Sequence, residues 1–139
     1  MSEPIMIFNI TIKPEEISHF ESASGQVTII PFGGSVKSDI FSGKVLPGAA
    51  DVQVTNAAGI RHMCAKYMFE GVDMNGNACH LFVENNGYFE PNSSPSPFHA
   101  CPIFMTDSEA LSFLTMSKYR AEGHGTENGV DIYIFDTSK

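Results

Sequence analysis

The sequence has few cysteines and few cations, and each scarcity argues against a class of protein. Its three cysteines, Cys64, Cys79 and Cys101, are odd in number and not closely paired, which disfavours a disulfide framework and a zinc ribbon. Eight lysines and arginines stand against 16 aspartates and glutamates, a formal net charge of -8. Nucleic acid and anionic lipid surfaces would repel such a chain on average. We therefore expect neither a nucleic-acid partner nor a membrane partner.

The sequence also lacks long apolar runs and a recognisable targeting segment. No run approaches the length that a membrane-spanning helix needs. The first residues, Met-Ser-Glu-Pro, place an acidic residue where a signal peptide would carry positive charge. The expected location is therefore the cytoplasm. At 139 residues the chain has the size of one domain, which we expect to span residues 1–139.

What the sequence does contain is a series of short strand-forming runs separated by glycine and proline turns. This pattern is typical of an antiparallel barrel or sandwich. The segment 14–25 is predicted to be a connection, and 91–97, rich in proline and serine, is the candidate lid of a barrel mouth. A capping box at Thr106-Asp-Ser-Glu109 predicts one short helix near 107–114. The predicted strands are 5–12, 26–32, 40–46, 51–55, 60–74, 77–89, 98–105, 115–121 and 130–135.

The stretch from Ile60 to Phe89 predicts a long β-hairpin around Asn75-Gly76. Asn-Gly is the preferred pair for a two-residue type I′ turn, in which both residues need positive φ. With that turn, Lys66 faces Asn85 on the neighbouring strand. Since side chains alternate along a strand, Tyr67 then points to the opposite face from Lys66.

Polar residues on this hairpin and on the strand before it form a candidate site. Asp51 and Gln53 lie two residues apart on one strand and therefore share a face. Lys66 and Asn85 could meet them in a barrel interior. A few converging polar groups in an apolar cavity are typical of a small-molecule site, although a structural polar core has the same composition.

The candidate site suits general acid/base chemistry. Asp51 is the candidate base, Lys66 the candidate stabiliser of a developing oxyanion, and Tyr67 or Asn85 a hydrogen-bond donor. Isomerisation, cyclisation or lyase chemistry needs no more than these groups, so we expect no cofactor. The five histidines are scattered, without a His-x-His or Cys-x-x-Cys motif, and we expect no metal.

Four motifs follow one another along the chain: Pro47-Gly-Ala-Ala-Asp-Val-Gln53, Ala65-Lys-Tyr67, Asn85-Asn-Gly87 and Pro102-Ile-Phe-Met-Thr106. With these motifs the sequence resembles, over about residues 5–135, the family known as domain of unknown function 3237 (DUF3237). The resemblance implies a small antiparallel β-barrel of eight or nine strands and no assigned activity. Lys66 replaces the arginine that is usual in the family and lacks its planar fork. His99, which stands where many relatives carry an arginine, is a further candidate for ligand binding.

Two functions follow from these residues, and both stay open at this point. The first is a cytoplasmic barrel that binds a small, largely apolar molecule with a polar or anionic group near Lys66, with or without conversion by proton transfer. The second is a non-catalytic binding or oligomerisation module with a structural polar core, for which a homo-oligomer is the expected assembly. Its interface would be an aromatic face formed by Tyr67, Phe69, Phe82 and Tyr88.

Overall fold

The computed structural model describes residues 3–93 and 98–137, and the ten strands within these ranges belong to one antiparallel sheet. Two short 3-10 helices, Pro14–Glu16 and Ser112–Thr115, lie in the connections. The strands are β1 Met6–Ile12, β2 Ser18–Ser22, β3 Gly25–Lys37, β4 Phe41–Val45, β5 Ala50–Asn56, β6 Arg61–Asp73, β7 Ala78–Phe89, β8 Phe98–Thr106, β9 Tyr119–Gly125 and β10 Gly129–Asp136.

The sheet closes into a barrel because β3 pairs with different strands along its length. On one edge, residues 25–31 of β3 pair with β5 and residues 35–37 pair with β4. On the other edge, residues 32–36 pair with β1. β6 also pairs with both β4 and β5, so these two strands share one position around the ring. The result is a closed antiparallel barrel of eight strand positions, which confirms the expected all-β fold. β2 pairs with residues 25–29 of β3 and is not one of the eight positions.

Two elements differ from the sequence expectations. The segment 14–25 was expected to be a connection but contains β2, whose five residues are all exposed and therefore show no alternation of apolar and polar side chains. The short helix expected near 107–114 is only the 3-10 turn Ser112–Thr115. Before this 3-10 turn, the hydroxyl of Ser108 accepts a hydrogen bond from the backbone N–H of Leu111 at 3.2 Å.

Two further expectations concern membranes and the lid. In the part of the chain that the structure describes, no helix is long and apolar enough to cross a membrane. The lid expected at 91–97 falls mainly on residues 94–97, which lie outside the described residues.

An aromatic cluster fills one end of the barrel. Its five rings meet mostly edge to face, with centroid separations from 4.8 to 6.1 Å, an arrangement that adds specific ring contacts to the burial of apolar area. Three of the rings are almost fully buried, and Phe32 and Tyr67 form the side that faces the other end of the barrel. The cluster consists of Phe8, Phe32, Phe41, Tyr67 and Phe69.

The loop between β6 and β7 has three residues, 74–76, rather than the predicted two. The backbone N–H of Asp73 donates to the carbonyl oxygen of Asn77 at 3.0 Å, and Gly76 N–H donates to the carbonyl oxygen of Asp73 at 2.9 Å. Within the loop only Gly76 has a positive φ, +81°, so the turn is not type I′. The carboxylate of Asp73 also accepts hydrogen bonds from the backbone N–H groups of Asn75 and Asn77. Asp73 therefore holds the three-residue loop together.

The longer loop shifts the hairpin register by one residue. Lys66 faces Glu84, and Asn85 faces Ala65; the predicted pairing of Lys66 with Asn85 was wrong. A shift of one residue exchanges the faces that two strands share, so Asn85 lies on the face of Ala65 and Tyr67 and not on that of Lys66. Tyr67 points into the barrel, and Lys66 points out of it.

The register also divides the aromatic face that was considered as an interface. Tyr67 and Phe69 are buried inside the barrel. Phe82 is half-buried on the outside, and Tyr88 is 73% exposed. The expected continuous face of these four rings therefore does not exist.

At Gly71, β6 lies close to the backbone of β4, and this close approach yields a test of the fold. A Cβ atom at residue 71 would overlap the carbonyl oxygen of Ser42. We expect Gly71→Ala to lower the free energy of unfolding by about 1–3 kcal/mol, the usual cost of overpacking, in urea denaturation. Gly125→Ala is the matched control, since nothing lies within 4 Å of the added atom. Equal losses in the two variants would contradict the described contact of β4 with β6.

Candidate functional site

A cavity of about 260 Å³ occupies the end of the barrel away from the aromatic cluster. Most of its wall is aliphatic or aromatic, and its polar groups come from three neighbouring strands, β5, β6 and β7. This is the usual construction of a small-molecule pocket. The apolar lining residues are Ile10, Ile12, Ile30, Phe32, Met63, Ala65, Phe89, Phe98, Val130 and Ile132, and the others are Asp51, Gln53, Arg61, Tyr67 and Asn85.

Asp51 and Asn85 face each other across a small residue. Asp51 of β5 pairs with Ala65 of β6, and Ala65 pairs with Asn85 of β7. Because the alanine side chain is a single methyl group, the carboxyl and the amide flank an open part of the cavity. Gln53, two residues further along β5, donates a hydrogen bond from Nε2 to Oδ2 of Asp51 at 2.8 Å. This bond occupies Oδ2 and leaves Oδ1 without a hydrogen-bond partner among the described residues.

Three buried polar atoms in the cavity wall have no hydrogen-bond partner among the described residues. They are Oδ1 of Asp51, Nε of Arg61 and Oδ1 of Asn85. Leaving such a group unpaired costs about 1–3 kcal/mol, and buried polar groups in folded proteins are nearly always bonded. The protein itself therefore leaves part of this polar set unpaired, namely one N–H donor and two oxygens on side chains that line the cavity.

Burial controls the ionisation of Asp51. Loss of contact with water raises the pKa of its carboxyl, and the hydrogen bond from Gln53 and the positive charge of Arg61 only partly oppose this rise. Asp51 therefore keeps its proton to a higher pH than an ordinary aspartate. A carboxyl in a pocket with a pKa above its ordinary value is a candidate for giving or accepting a proton.

Tyr67 contributes a hydroxyl group that stays protonated. Burial, and in second place the negative charge of Asp51, raises the pKa of Tyr67. The side chain is only 4% exposed and lies between the cavity and the aromatic cluster. It can therefore serve as a neutral hydrogen-bond donor at the inner end of the cavity.

Arg61 is the cation of the cavity, and the sequence analysis missed it. It is the first residue of β6 and pairs with Phe89 of β7. Its guanidinium carbon lies 4.5 Å from the centroid of the Phe89 ring, a cation–π contact that holds the planar group in place. Arg61 shares a strand face with Ala65 and Tyr67, so the correct hairpin register would have pointed to it.

Two residues proposed from the sequence lie outside the cavity. Lys66, the expected catalytic cation, has a 63% exposed side chain, and its Nζ lies 3.8 Å from Oε1 of Glu84 on the outer surface. His99 is exposed on β8, paired with Glu122 of β9. The expectation that Lys66 lies inside the barrel was therefore wrong, and neither residue lines the cavity. Asp51, Gln53 and Asn85 do meet in the cavity wall, as expected. Tyr67, which the predicted register placed on the face opposite to Asn85, lies there with them.

Metal coordination finds little support in this site. Across residues 3–93 and 98–137, no three His, Cys, Asp or Glu side chains come close enough to hold a metal ion. The wall of the cavity itself carries a single carboxyl group, that of Asp51. A site that works without metal or cofactor stays a prediction from the sequence.

Comparison with known proteins agrees with the fold. The sequence model of the family described as "Protein of unknown function (DUF3237)" matches residues 2–137. A "UPF0311 protein" of Rhodopseudomonas palustris (strain TIE-1) is 39% identical over 83 residues, which are 58% of this chain and 52% of that protein. The chain thus spans about half the length of the curated relatives it matches.

Solved structures share the fold at low sequence identity. A protein of unknown function from Clostridium acetobutylicum ATCC 824 superposes with a TM-score of 0.79 at 22% identity, covering 98% of both chains. A structure described as an enzyme from Penicillium herquei superposes with a TM-score of 0.60 at 16% identity, covering 98% of this chain and 97% of that one. At these identities the likeness concerns the fold alone.

The raised pKa of Asp51 yields a prediction about stability. Above the ordinary aspartate pKa of 3.8, the unfolded chain loses this proton before the folded chain does, so wild-type stability falls as the pH rises from there through the folded-state pKa. Asp51→Asn removes this loss and keeps an acceptor for Gln53. We expect the variant to melt at a higher temperature than the wild type at about pH 8, with a smaller difference at about pH 4.

Asp73→Asn is the matched control with the opposite sign. Hydrogen bonds, first of all from the hydroxyl of Ser108 at 2.7 Å, lower the pKa of Asp73. Its ionised form therefore stabilises the fold above pH 3.8, and this stability is lost on acidification. The asparagine variant should melt below the wild type at neutral pH. If Asp51→Asn destabilised the protein as Asp73→Asn does, Asp51 would be a structural residue.

Proposed function

The chain belongs to the DUF3237 family of proteins of unknown function, and we propose that it binds a small, mostly apolar molecule in the barrel cavity through Asp51, Arg61 and Asn85. The observation that carries this proposal is the convergence of three buried, unpaired polar atoms on one apolar cavity. A bound molecule would satisfy them, whereas a structural core would already have paired them within the protein.

The unpaired atoms indicate the polar groups of the ligand. Nε of Arg61 is a hydrogen-bond donor, and its partner on the ligand would be a carbonyl or carboxylate oxygen. Oδ1 of Asp51 and Oδ1 of Asn85 are acceptors, and their partner would be a hydroxyl or another N–H or O–H donor. The remaining wall is apolar, so the body of the ligand is a compact ring system or a branched hydrocarbon that fits about 260 Å³.

Electrostatics support an acidic or carbonyl-bearing ligand over a cationic one. Arg61 always carries its charge, while burial favours the neutral form of Asp51. The field inside the cavity is therefore positive when Asp51 holds its proton. In an apolar enclosure this charge acts at lower dielectric than in water, which strengthens its effect on an anionic group.

The same residues can perform general acid/base catalysis. In this form of the proposal Asp51 exchanges a proton with the ligand, Arg61 stabilises a developing oxyanion in the role that was expected of Lys66, and the hydroxyl of Tyr67 donates a hydrogen bond. Isomerisation, cyclisation and elimination are the reaction classes that this set supports. The cytoplasm remains the proposed location, on the evidence of the sequence.

The pairing of Arg61 with a ligand oxygen can be tested with three probes of one ring size: 2-naphthoic acid, 2-acetylnaphthalene and naphthalene. We expect the acid to bind most tightly, and Arg61→Met to weaken its binding by about 10- to 100-fold, because a charged hydrogen bond is lost. Binding of naphthalene should not change. Ligand-observed NMR titration provides the dissociation constants.

Lys66→Met is the matched control, since it removes an equally charged side chain of similar length from the outer surface. This variant should bind all three probes as the wild type does. Failure of the wild type to bind any of the probes, or equal losses in the two variants, would contradict the proposed site.

A further inference from the structure

The outer face of the barrel carries a row of apolar side chains across three strands. Met68 of β6 lies opposite Phe82 of β7, which lies opposite Met105 of β8. Met68 is 40% exposed and Met105 63% exposed. Exposed apolar side chains that adjoin across a sheet, unlike scattered single ones, are typical of an interaction surface. We call these three residues the outer apolar row.

Charged residues flank the outer apolar row in a pattern that reverses from one side to the other. On the first side Lys66 of β6 pairs with Glu84 of β7, with 3.8 Å between Nζ and Oε1. On the second side Glu70 of β6 pairs with His80 of β7, with 3.3 Å between Oε2 and Nε2. Along β6 the sign therefore changes from positive to negative across the row, and along β7 from negative to positive.

The neighbours of His80 favour the protonated, positively charged form of its side chain. Its Nδ1 lies 2.7 Å from Oδ2 of Asp107, and this hydrogen bond is the main cause of the raised pKa of His80, with Glu70 adding to it. The groups that face it are thus acidic on both sides, and they favour the imidazolium form.

We propose that the outer apolar row packs against the same row of a second copy of this chain, about a two-fold axis that runs along the row. A rotation about this axis reverses the strand direction and keeps each strand over its own counterpart. It therefore places Lys66 of one copy over Glu70 of the other, and Glu84 over His80. Each charged pair occurs twice in such an isologous interface.

The charge pattern favours this partner and this axis. The positive flanking groups are Lys66 and His80, and the negative ones are Glu70 and Glu84, with Asp107 beside His80. A face of such mixed sign complements its own rotated image better than it complements a partner of one sign. A two-fold axis parallel to the strands would instead place Lys66 over Ile103 and leave the charges unmatched. Facing sheets pack about 10 Å apart, a gap that long lysine and glutamate side chains can bridge.

Charge exchange tests the proposed axis. In sedimentation equilibrium over a range of protein concentration, the wild type should form a dimer. Lys66→Glu and Glu70→Lys should each raise its dissociation constant by about tenfold or more, since each places two like-charged pairs in the interface. The double variant should restore wild-type dimerisation. The proposed axis would be wrong if neither single change altered the dissociation constant of the dimer, or if the double variant had a higher dissociation constant than either single variant.

A second comparison tests the apolar row itself. Met105→Asp should convert the protein to a monomer, because the row would bury a carboxylate. Met116→Asp is the matched control, since Met116 is 82% exposed and follows the 3-10 turn Ser112–Thr115, so it is not part of the outer apolar row. Circular dichroism establishes that each variant remains folded. A monomeric wild type, or equal masses for the two variants, would overturn the proposal.

Discussion

The three-residue loop closed by Asp73 determines which side chains of the barrel face its interior. Its carboxylate accepts two backbone N–H bonds within the loop and a hydroxyl bond from Ser108. These bonds secure the register of β6 against β7. Because side chains alternate strictly along a strand, this register puts Asn85 on the same face as Arg61 and Tyr67 and on the opposite face from Lys66. Burial of the apolar residues on the first face turns it toward the interior. Both proposals made for this protein depend on that assignment.

The two ends of the barrel interior differ: one is a packed aromatic cluster that stabilises the fold, and the other is the cavity with its polar side chains. The aromatic cluster closes one end with well-packed rings and supplies much of the apolar burial that a chain of this size needs. The other end holds a carboxyl whose charged form is disfavoured by burial and polar atoms without partners. Such features lower stability, and proteins commonly tolerate them where they serve a binding or catalytic site.

The fold was largely predictable from the sequence, and the faces of the hairpin were not. Alternating apolar runs and turn residues indicated the strands, apart from β2, which is exposed at every position. Asn75-Gly76 fits both a two-residue and a three-residue loop, and the carboxylate of Asp73 decides between them. The alternation of apolar and polar residues does not distinguish the two registers, because apolar residues such as Met68 and Phe82 also lie on the outside. Asp51, Gln53 and Asn85 were predicted as site residues nonetheless. Arg61 was not predicted, because the wrong register placed the face of Arg61 opposite to Asn85.

The proposed function requires a ligand between Arg61 and Asp51, inside the barrel. A crystal structure of the protein with 2-naphthoic acid would show whether a ligand binds there. We expect the rings within the apolar wall and a carboxylate oxygen within hydrogen-bonding distance of Nε of Arg61, with the acid adjoining Asp51 and Asn85. The proposal would be wrong if the acid bound at the outer surface near Lys66 and the cavity side chains stayed unchanged.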